Sequence, residues 1–283
     1  MERDKKKIVW LASYPKSGNT WFRAFLSYLL FKSDKPFDLN HLQNIPVASS
    51  RTLFDKYTGA NSSDLLPSEI ENLRPEIYKK IAEEADDPVF LKVHDSWHLT
   101  PSGIPLFHSD YTKGVIYIIR NPLDIAVSFS SHLGIDIAST IKKMNNIKSE
   151  LCFNEEKLYH QFKQHLSDWS GHVRSWTELS GLPVKILRYE SMLDDTYTSF
   201  KSALEFLDIN KDTKEIKMAI EQCGFDRLSY LERTKGFQEK PISMNAFFRS
   251  GKSGIWRDHL KNEHVKSIIS SHAAFMERYG YLE

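Results

Sequence analysis

The sequence is poor in cysteine, in net charge and in long apolar runs, and each shortage removes a class of protein. Its 283 residues hold two cysteines, Cys152 and Cys223, with no CxxC and no metal-ligand spacing around them. Two isolated thiols do not frame a disulfide-rich secreted fold, so the setting expected is reducing and intracellular. Lys plus Arg number 38 against 37 Asp plus Glu. Near-zero net charge gives no bulk attraction to nucleic acid or to an anionic membrane, and any anion site must be a local cluster. The longest apolar-rich run, Trp21 to Phe31, is interrupted by Arg23, Ser27 and Tyr28 and is too short to span a bilayer. The opening "MERDKKK" leads straight into a strand pattern with no apolar signal segment. These readings point to a soluble, cytoplasmic protein. No internal repeat, low-complexity tract or linker is evident, so residues 1–283 read as one domain.

What is present is an alternation of strands and helices. Four runs are β-branched or aromatic and continuously apolar, as strands buried on both faces are: "KIVWLAS" (7–13), "PVFLKVH" (88–94), "GVIYIIR" (114–120) and "PVKILRY" (183–189). Between them lie helical patterns. One covers 122–133, opened by Asn121-Pro122. Another covers 157–180, where Leu158, Phe162, Leu166, Trp169, Val173, Trp176 and Leu179 recur every three or four positions. A third carries Phe200, Leu204 and Leu207, and a fourth runs from Val265 to Tyr279 with Gly280 as its stop. The alternation implies an α/β class with a mostly parallel sheet and right-handed crossovers. Segments 32–70, 134–156 and 235–254 have little period and read as long loops around a site, with room for short helices within them.

Every strand delivers polar or charged residues at its C-terminal end: Lys16 after the first, Lys92 and His94 at the second, Arg120 at the third, Arg188 and Tyr189 at the fourth. Ligands bind at that edge of open α/β sheets. The turn "YPKSGNT" enters a helix near Asn19 or Thr20. Free N–H groups at a helix start favour an anion; Gly18 permits close approach, Lys16 brings charge, and Ser17, Asn19 and Thr20 bring donors. The competing account is an ordinary strand–helix turn.

"YPKSGNTW" resembles the 5′-phosphosulfate-binding loop of the cytosolic-type sulfotransferases, which use 3′-phosphoadenosine 5′-phosphosulfate (PAPS). "YIIRNPLDIAVSFSSH", "FFRSGKSGIWRDHL", "LKVHDS" and "RYESM" resemble further segments of that family, in the same order, across about residues 8 to 260. The resemblance implies a P-loop-containing three-layer α/β fold, with a central mostly parallel sheet flanked by helices. It implies sulfuryl transfer from PAPS to a hydroxyl of an unidentified small-molecule acceptor, with no metal. By the same resemblance Lys16, Ser17, Gly18, Asn19 and Thr20 hold the 5′-phosphosulfate. Trp21 packs on the adenine, with Phe225 covering it and Tyr189 near the adenosine. Arg120, Ser128, Arg249 and Gly251 bind the 3′-phosphate. His94 is the catalytic base and Lys92 assists at the sulfuryl oxygens.

The chain departs from the family pattern in places. Ser250 stands where the family has lysine, removing one charge from the 3′-phosphate. Cys223 replaces a threonine that contacts the base, and Asn19 replaces a threonine in the loop. The family's Lys-Thr-Val-Glu dimer segment is absent, with "LKNEHVKSII" in its region, which leaves the oligomeric state open. Among rivals, His98 and His108 read as loop residues, and Arg120 has a competing role as an ion pair with Asp124. Phe37, Phe54, Tyr57, Trp97, Phe247 and Phe248 line either an acceptor pocket or the core. Two other functions compete. A P-loop kinase lacks its GxxxxGK[ST] and an acidic strand end for Mg²⁺, Asp95 being the nearest candidate. A non-catalytic nucleotide-binding module would not need the base and loop lysine that are present.

Overall fold

Strand β1 (Ile8–Ser13) is buried along its whole length, as its unbroken apolar run requires. In the computed structural model, which describes residues 6–31, 36–154, 158–241 and 244–282, it leads into α1 (Asn19–Leu30). Then follow α2 (Arg51–Thr58), α3 (Pro67–Glu84), β2 (Val89–Val93), β3 (Thr112–Ile119), α4 (Pro122–Leu133) and α5 (Ile137–Met144). Two-residue strands β4 (Glu150–Leu151) and β5 (Gln164–His165) pair antiparallel. The chain continues through α6 (Trp169–Arg174), β6 (Val184–Arg188), α7 (Tyr189–Asp194), α8 (Thr196–Phe206), α9 (Thr213–Gln222), α10 (Phe225–Lys235) and α11 (Asn262–Arg278).

The central parallel sheet has the order β2-β1-β3-β6 and is flanked by helices. The expected α/β class and all four strands are found, with ends displaced by one or two residues. Beside β1, β2 sets Leu11 against Lys92 and Ala12 against Val93, so both chains leave the sheet at the same edge. β6, at one end of the sheet, is mostly half-buried, whereas β1, β2 and β3 are buried at all but one residue or fewer.

The chain divides into two compact units: Met1–Tyr14, Pro46–Tyr117 and Asn146–Ile186 form the first; Pro15–Ile45, Ile118–Asn145 and Leu187–Glu283 form the second. Within the first, Trp10 packs edge-on against Tyr78 and Phe107, and its indole N–H reaches Thr112 Oγ1 at 2.9 Å. Within the second, Phe22 and Phe25 of α1 close on Phe200 of α8.

Helix α4 has the predicted bounds, with Asn121 capping Leu123 N–H and Pro122 in the first turn. The helix expected over 157–180 does not form as one piece. Helical structure starts at Trp169, passes into a π turn at Ser175–Leu179, and is capped by Asp168, whose carboxylate accepts from Gly171 N–H. Upstream, the backbone is committed elsewhere: Phe162 N–H donates to Ser49 O and Arg51 N–H to His160 O. Lys157 lies outside the described residues. Helices α2, α3 and α5 occupy stretches that read as loop or were unassigned. Pro67 opens α3, and Ile70, Ile77, Tyr78 and Ile81 form its buried stripe across an interior Pro75.

Two buried polar arrangements stiffen the first unit. Arg74 and Asp95, both almost fully buried, pair at 2.7 Å; removing one partner of such a pair costs about 3–5 kcal/mol. His172 is fully buried. Its Nε2–H donates to His94 O at 3.1 Å, which leaves Nδ1 to accept from Tyr117 O–H at 2.8 Å. Burial pushes the His172 imidazole down from 6.5 to about 4. Between pH 6.5 and 4 the unfolded chain therefore binds a proton there that the folded chain refuses. Stability contributed by neutral His172 is complete above pH 6.5 and is lost as pH falls towards 4, by about 3 kcal/mol. Urea unfolding followed across this window should show that slope in the parent and a flatter one in His172→Gln. Equal slopes would show that His172 protonates alike in both states.

Candidate active site

In the second unit, the turn after β1 is shaped by two residues with left-handed backbone, Lys16 (φ 70°) and Gly18 (φ 100°). Gly18 is the N-cap of α1, and no side chain caps the helix. A Cβ at Gly18 would come within 2.6 Å of the Tyr189 ring, so this position needs glycine for both its conformation and its neighbour. Ser17 is fully buried, yet its hydroxyl has no partner among the described residues. Asn19 and Thr20, the first two residues of α1, are also buried.

Arg120, one residue past β3, ties this turn to the C-terminal segment. Its Nη1 donates to Lys16 O at 3.0 Å and its Nη2 to Lys252 O at 3.1 Å. The guanidinium lies 4.3 Å from the Tyr189 ring centroid. Among the described residues two of its five N–H donors are thus used, while its buried Nε has no partner there. Asp124, the alternative ion-pair partner, instead accepts from the backbone N–H of Gly254 and Trp256 at 2.7 and 3.0 Å. Burial raises the Tyr189 phenol above its ordinary range. Trp21 stands edge-on to Tyr189 and Phe200.

Other predicted residues fall around the same elements. Ser128 is half-buried on α4. Arg249 donates to Ser131, one turn further along that helix, a partner that sequence reasoning missed. Gly251 (φ 61°) would drive a Cβ to 2.4 Å from the Phe225 ring, which places Phe225 directly on this glycine. Ser250 is half-buried in irregular chain. Cys223 is fully buried, and burial pushes its thiol up. The Lys16 ammonium sits 4.0 Å over the Phe247 ring centroid. A buried carboxylate missed from sequence, Glu232, fixes that ring's backbone, accepting from Phe247 and Phe248 N–H at 2.7 and 3.0 Å.

In the first unit, Lys92 is nearly buried on β2, where its own backbone bonds to Pro46 O and Ala48 N–H. His94 follows the strand. Its Nδ1 lies 2.8 Å from Ser13 O; a carbonyl only accepts, so Nδ1 carries the proton and Nε2 of the neutral ring is the basic nitrogen. The rivals are engaged otherwise: His98 faces Glu71 at 2.9 Å and His108 lies 3.4 Å from Asp110. Phe54 packs on Phe162 in the core.

An uncapped helix start, a buried unpartnered hydroxyl at Ser17 and an unpartnered Nε at Arg120 form a set of donors suited to oxyanions. Comparison with known proteins agrees with that chemistry. The family description "Sulfotransferase domain" matches residues 6–279. Flavonol 4'-sulfotransferase of Flaveria chlorifolia is 30% identical over 275 residues, covering 92% of this chain and 76% of that protein. Cytosolic sulfotransferase 1 of Arabidopsis thaliana is 26% identical over 278 residues, covering 91% and 75%. In fold, the chain resembles retinol dehydratase in complex with androsterone and inactive cofactor PAP, with TM-score 0.62, 20% identity and coverage of 98% and 82%. It likewise resembles a mouse sulfotransferase complexed with PAP, with TM-score 0.60, 17% identity and coverage of 96% and 85%. The chain belongs to the PAPS-dependent sulfotransferase family, of the cytosolic type, and is a sulfotransferase enzyme.

Proposed function

We propose that the protein transfers the sulfuryl group of PAPS to a hydroxyl of a small-molecule acceptor, in the cytoplasm and without a metal in the transfer step. The carrying observation is the set of buried donors without partners at Ser17 and Arg120, beside the uncapped start of α1. PAPS supplies the activated sulfuryl group and a phosphate leaving group. Ser17, Asn19, Thr20 and the N–H groups of the loop hold the 5′-phosphosulfate, and Gly18 keeps the backbone close. Trp21, Tyr189 and Phe225 offer faces for the adenosine. Arg120, Ser128, Arg249 and Gly251 take the 3′-phosphate, with Ser250 contributing a hydroxyl in place of a charge.

Transfer of this kind depends on position and electrostatics rather than covalent help from the protein. Lys16 stabilises the negative charge that grows on the leaving oxygen, supported by the dipole of α1. His94, with its proton fixed on Nδ1 by Ser13, receives the acceptor's hydroxyl proton at Nε2. Lys92, two residues earlier on the strand, assists at the sulfuryl oxygens. The kinase alternative loses its acidic candidate, because Asp95 is buried against Arg74. Flavonol and cytosolic sulfotransferases among the relatives support a small-molecule acceptor, and among the described residues no helix is long and apolar enough to cross a membrane.

Two predictions follow this reading. A charge-assisted hydrogen bond contributes about 1.5–3 kcal/mol, equivalent to about ten- to a hundredfold in affinity. Arg120→Ala and Arg249→Ala should each lower the preference for 3′-phosphoadenosine 5′-phosphate over adenosine 5′-phosphate by about that factor, read by calorimetry. Because Arg120 also holds Lys16 O, its variant should weaken both nucleotides somewhat. An unchanged preference in both variants would remove the 3′-phosphate assignment.

His94→Ala should lower single-turnover transfer at least about a hundredfold, the scale of a general base, with nucleotide affinity nearly unchanged. Lys16→Ala should damage both turnover and binding of the sulfated nucleotide, since the ammonium acts in ground and transition states. Near-parental transfer by His94→Ala over pH 6 to 8 would assign the base elsewhere.

A further inference from the structure

Away from the residues assigned above, three side chains of the first unit converge: Glu71 on α3, His98 in the loop after β2, and His165 on β5. Their ligand atoms all lie within 4.8 Å of one another. One Glu71 oxygen is 2.9 Å from His98 Nε2, and the other is 3.3 Å from His165 Nε2. All three line an open cleft of about 660 Å³.

A proton count shows that the cluster is short of positive charge. His98 Nδ1 lies 2.8 Å from Ser96 O, so it donates there. His165 Nδ1 faces Glu150 at 3.7 Å. Three ring nitrogens, His98 Nδ1 and both Nε2 atoms, therefore lie within hydrogen-bond reach of oxygens that only accept, and neutral His98 has one N–H for its two contacts. One further proton, on His98, would satisfy the contacts, leaving an imidazolium 4.8 Å from the His165 ring centroid. One divalent cation satisfies them with both rings neutral. His98 Nδ1–H then stays on Ser96 O, the arrangement that metal-binding histidines adopt. Lys163 is 3.2 Å from Glu150 and so directs its charge to the outer carboxylate.

The spacing suits a small ion. Zn²⁺ bonds of about 2.0–2.1 Å in tetrahedral geometry set ligand atoms about 3.3 Å apart, against 2.9 and 3.3 Å from the two Glu71 oxygens and at most 4.8 Å among the three ligand atoms. Two imidazoles with one carboxylate favour ions of the Zn²⁺ type over Mg²⁺ or Ca²⁺, which select oxygen. The geometry points to a Glu71–His98–His165 site for a divalent transition-metal ion, with its fourth position open to the cleft. The ion joins α3, β5 and the loop that begins four residues after His94. It acts on the stability of that region and takes no part in sulfuryl transfer.

The test uses the full chain stripped with EDTA and titrated with Zn²⁺ by calorimetry and with Co²⁺ by visible absorption. One equivalent of Zn²⁺ should bind and raise Tm, and Co²⁺ should give the d–d bands of a low-symmetry four-coordinate site. Glu71→Gln and His98→Ala should lower Zn²⁺ affinity by at least about a hundredfold and abolish those bands. Circular dichroism in EDTA checks that the variants fold; should Glu71→Gln not fold, His165→Asn makes the same comparison. Absence of Zn²⁺ binding, or equal uptake by the parent and the ligand variants, would overturn the site and assign the cluster to protons alone.

Discussion

The second unit turns on the Arg120 guanidinium. It takes the carbonyl of Lys16 with one nitrogen and that of Lys252 with another, and lies on the face of Tyr189. Three segments far apart in sequence are thereby referred to one planar group: the turn after β1, the end of β3 and the irregular chain before α11. Gly18 completes the arrangement, because only a residue without Cβ leaves room for the Tyr189 ring. An arginine suits this task better than lysine, since its rigid fork serves several acceptors at once and stacks on an aromatic face. The donors it leaves over are those assigned to the nucleotide.

Buried carboxylates do comparable work on the C-terminal segment. The residues from Met244 to Gly254 form no regular element, so their backbone N–H groups lack ladder partners. Glu232 takes two of them at Phe247 and Phe248, and Asp124 takes Gly254 and Trp256. Both acids sit on helices, α10 and α4, and so hold the loop from rigid supports. This places the Phe247 ring under the Lys16 ammonium and Arg249 beside Ser131. A loop held in this way keeps a defined shape without the length of a strand.

In the first unit, precision at His94 comes from its backbone as much as its ring. The ring is oriented by Ser13 O, while the carbonyl is held by His172, itself held by Tyr117. The Arg74–Asp95 pair secures the next residue along, and Trp176 Nε1–H donates to Asp95 O. Orientation of an imidazole through such supporting bonds is what keeps one tautomer in place.

Local chemistry made much of this legible in the sequence alone. Continuous apolar runs mark buried strands whatever surrounds them, so β1, β2, β3 and β6 could be read directly. Asn121-Pro122 marks the start of α4, and "YPKSGNT" can be read as a candidate anion turn because its glycine, lysine and hydroxyls are adjacent in the chain. The family could be recognised for the same reason. What the sequence could not determine depends on groups that meet only after folding. The stripe from Leu158 to Leu179 has helical spacing, but tertiary hydrogen bonds to Ser49 and Arg51 claim its first half. Glu232, Ser131 and His172 gain their roles from partners 15, 118 and 78 positions away. His98 and His165 stand 27 and 94 positions from Glu71, a separation in which no spacing rule operates. Residues adjacent in sequence carry their chemistry with them, whereas a cluster of distant side chains exists only once the backbone has brought them together.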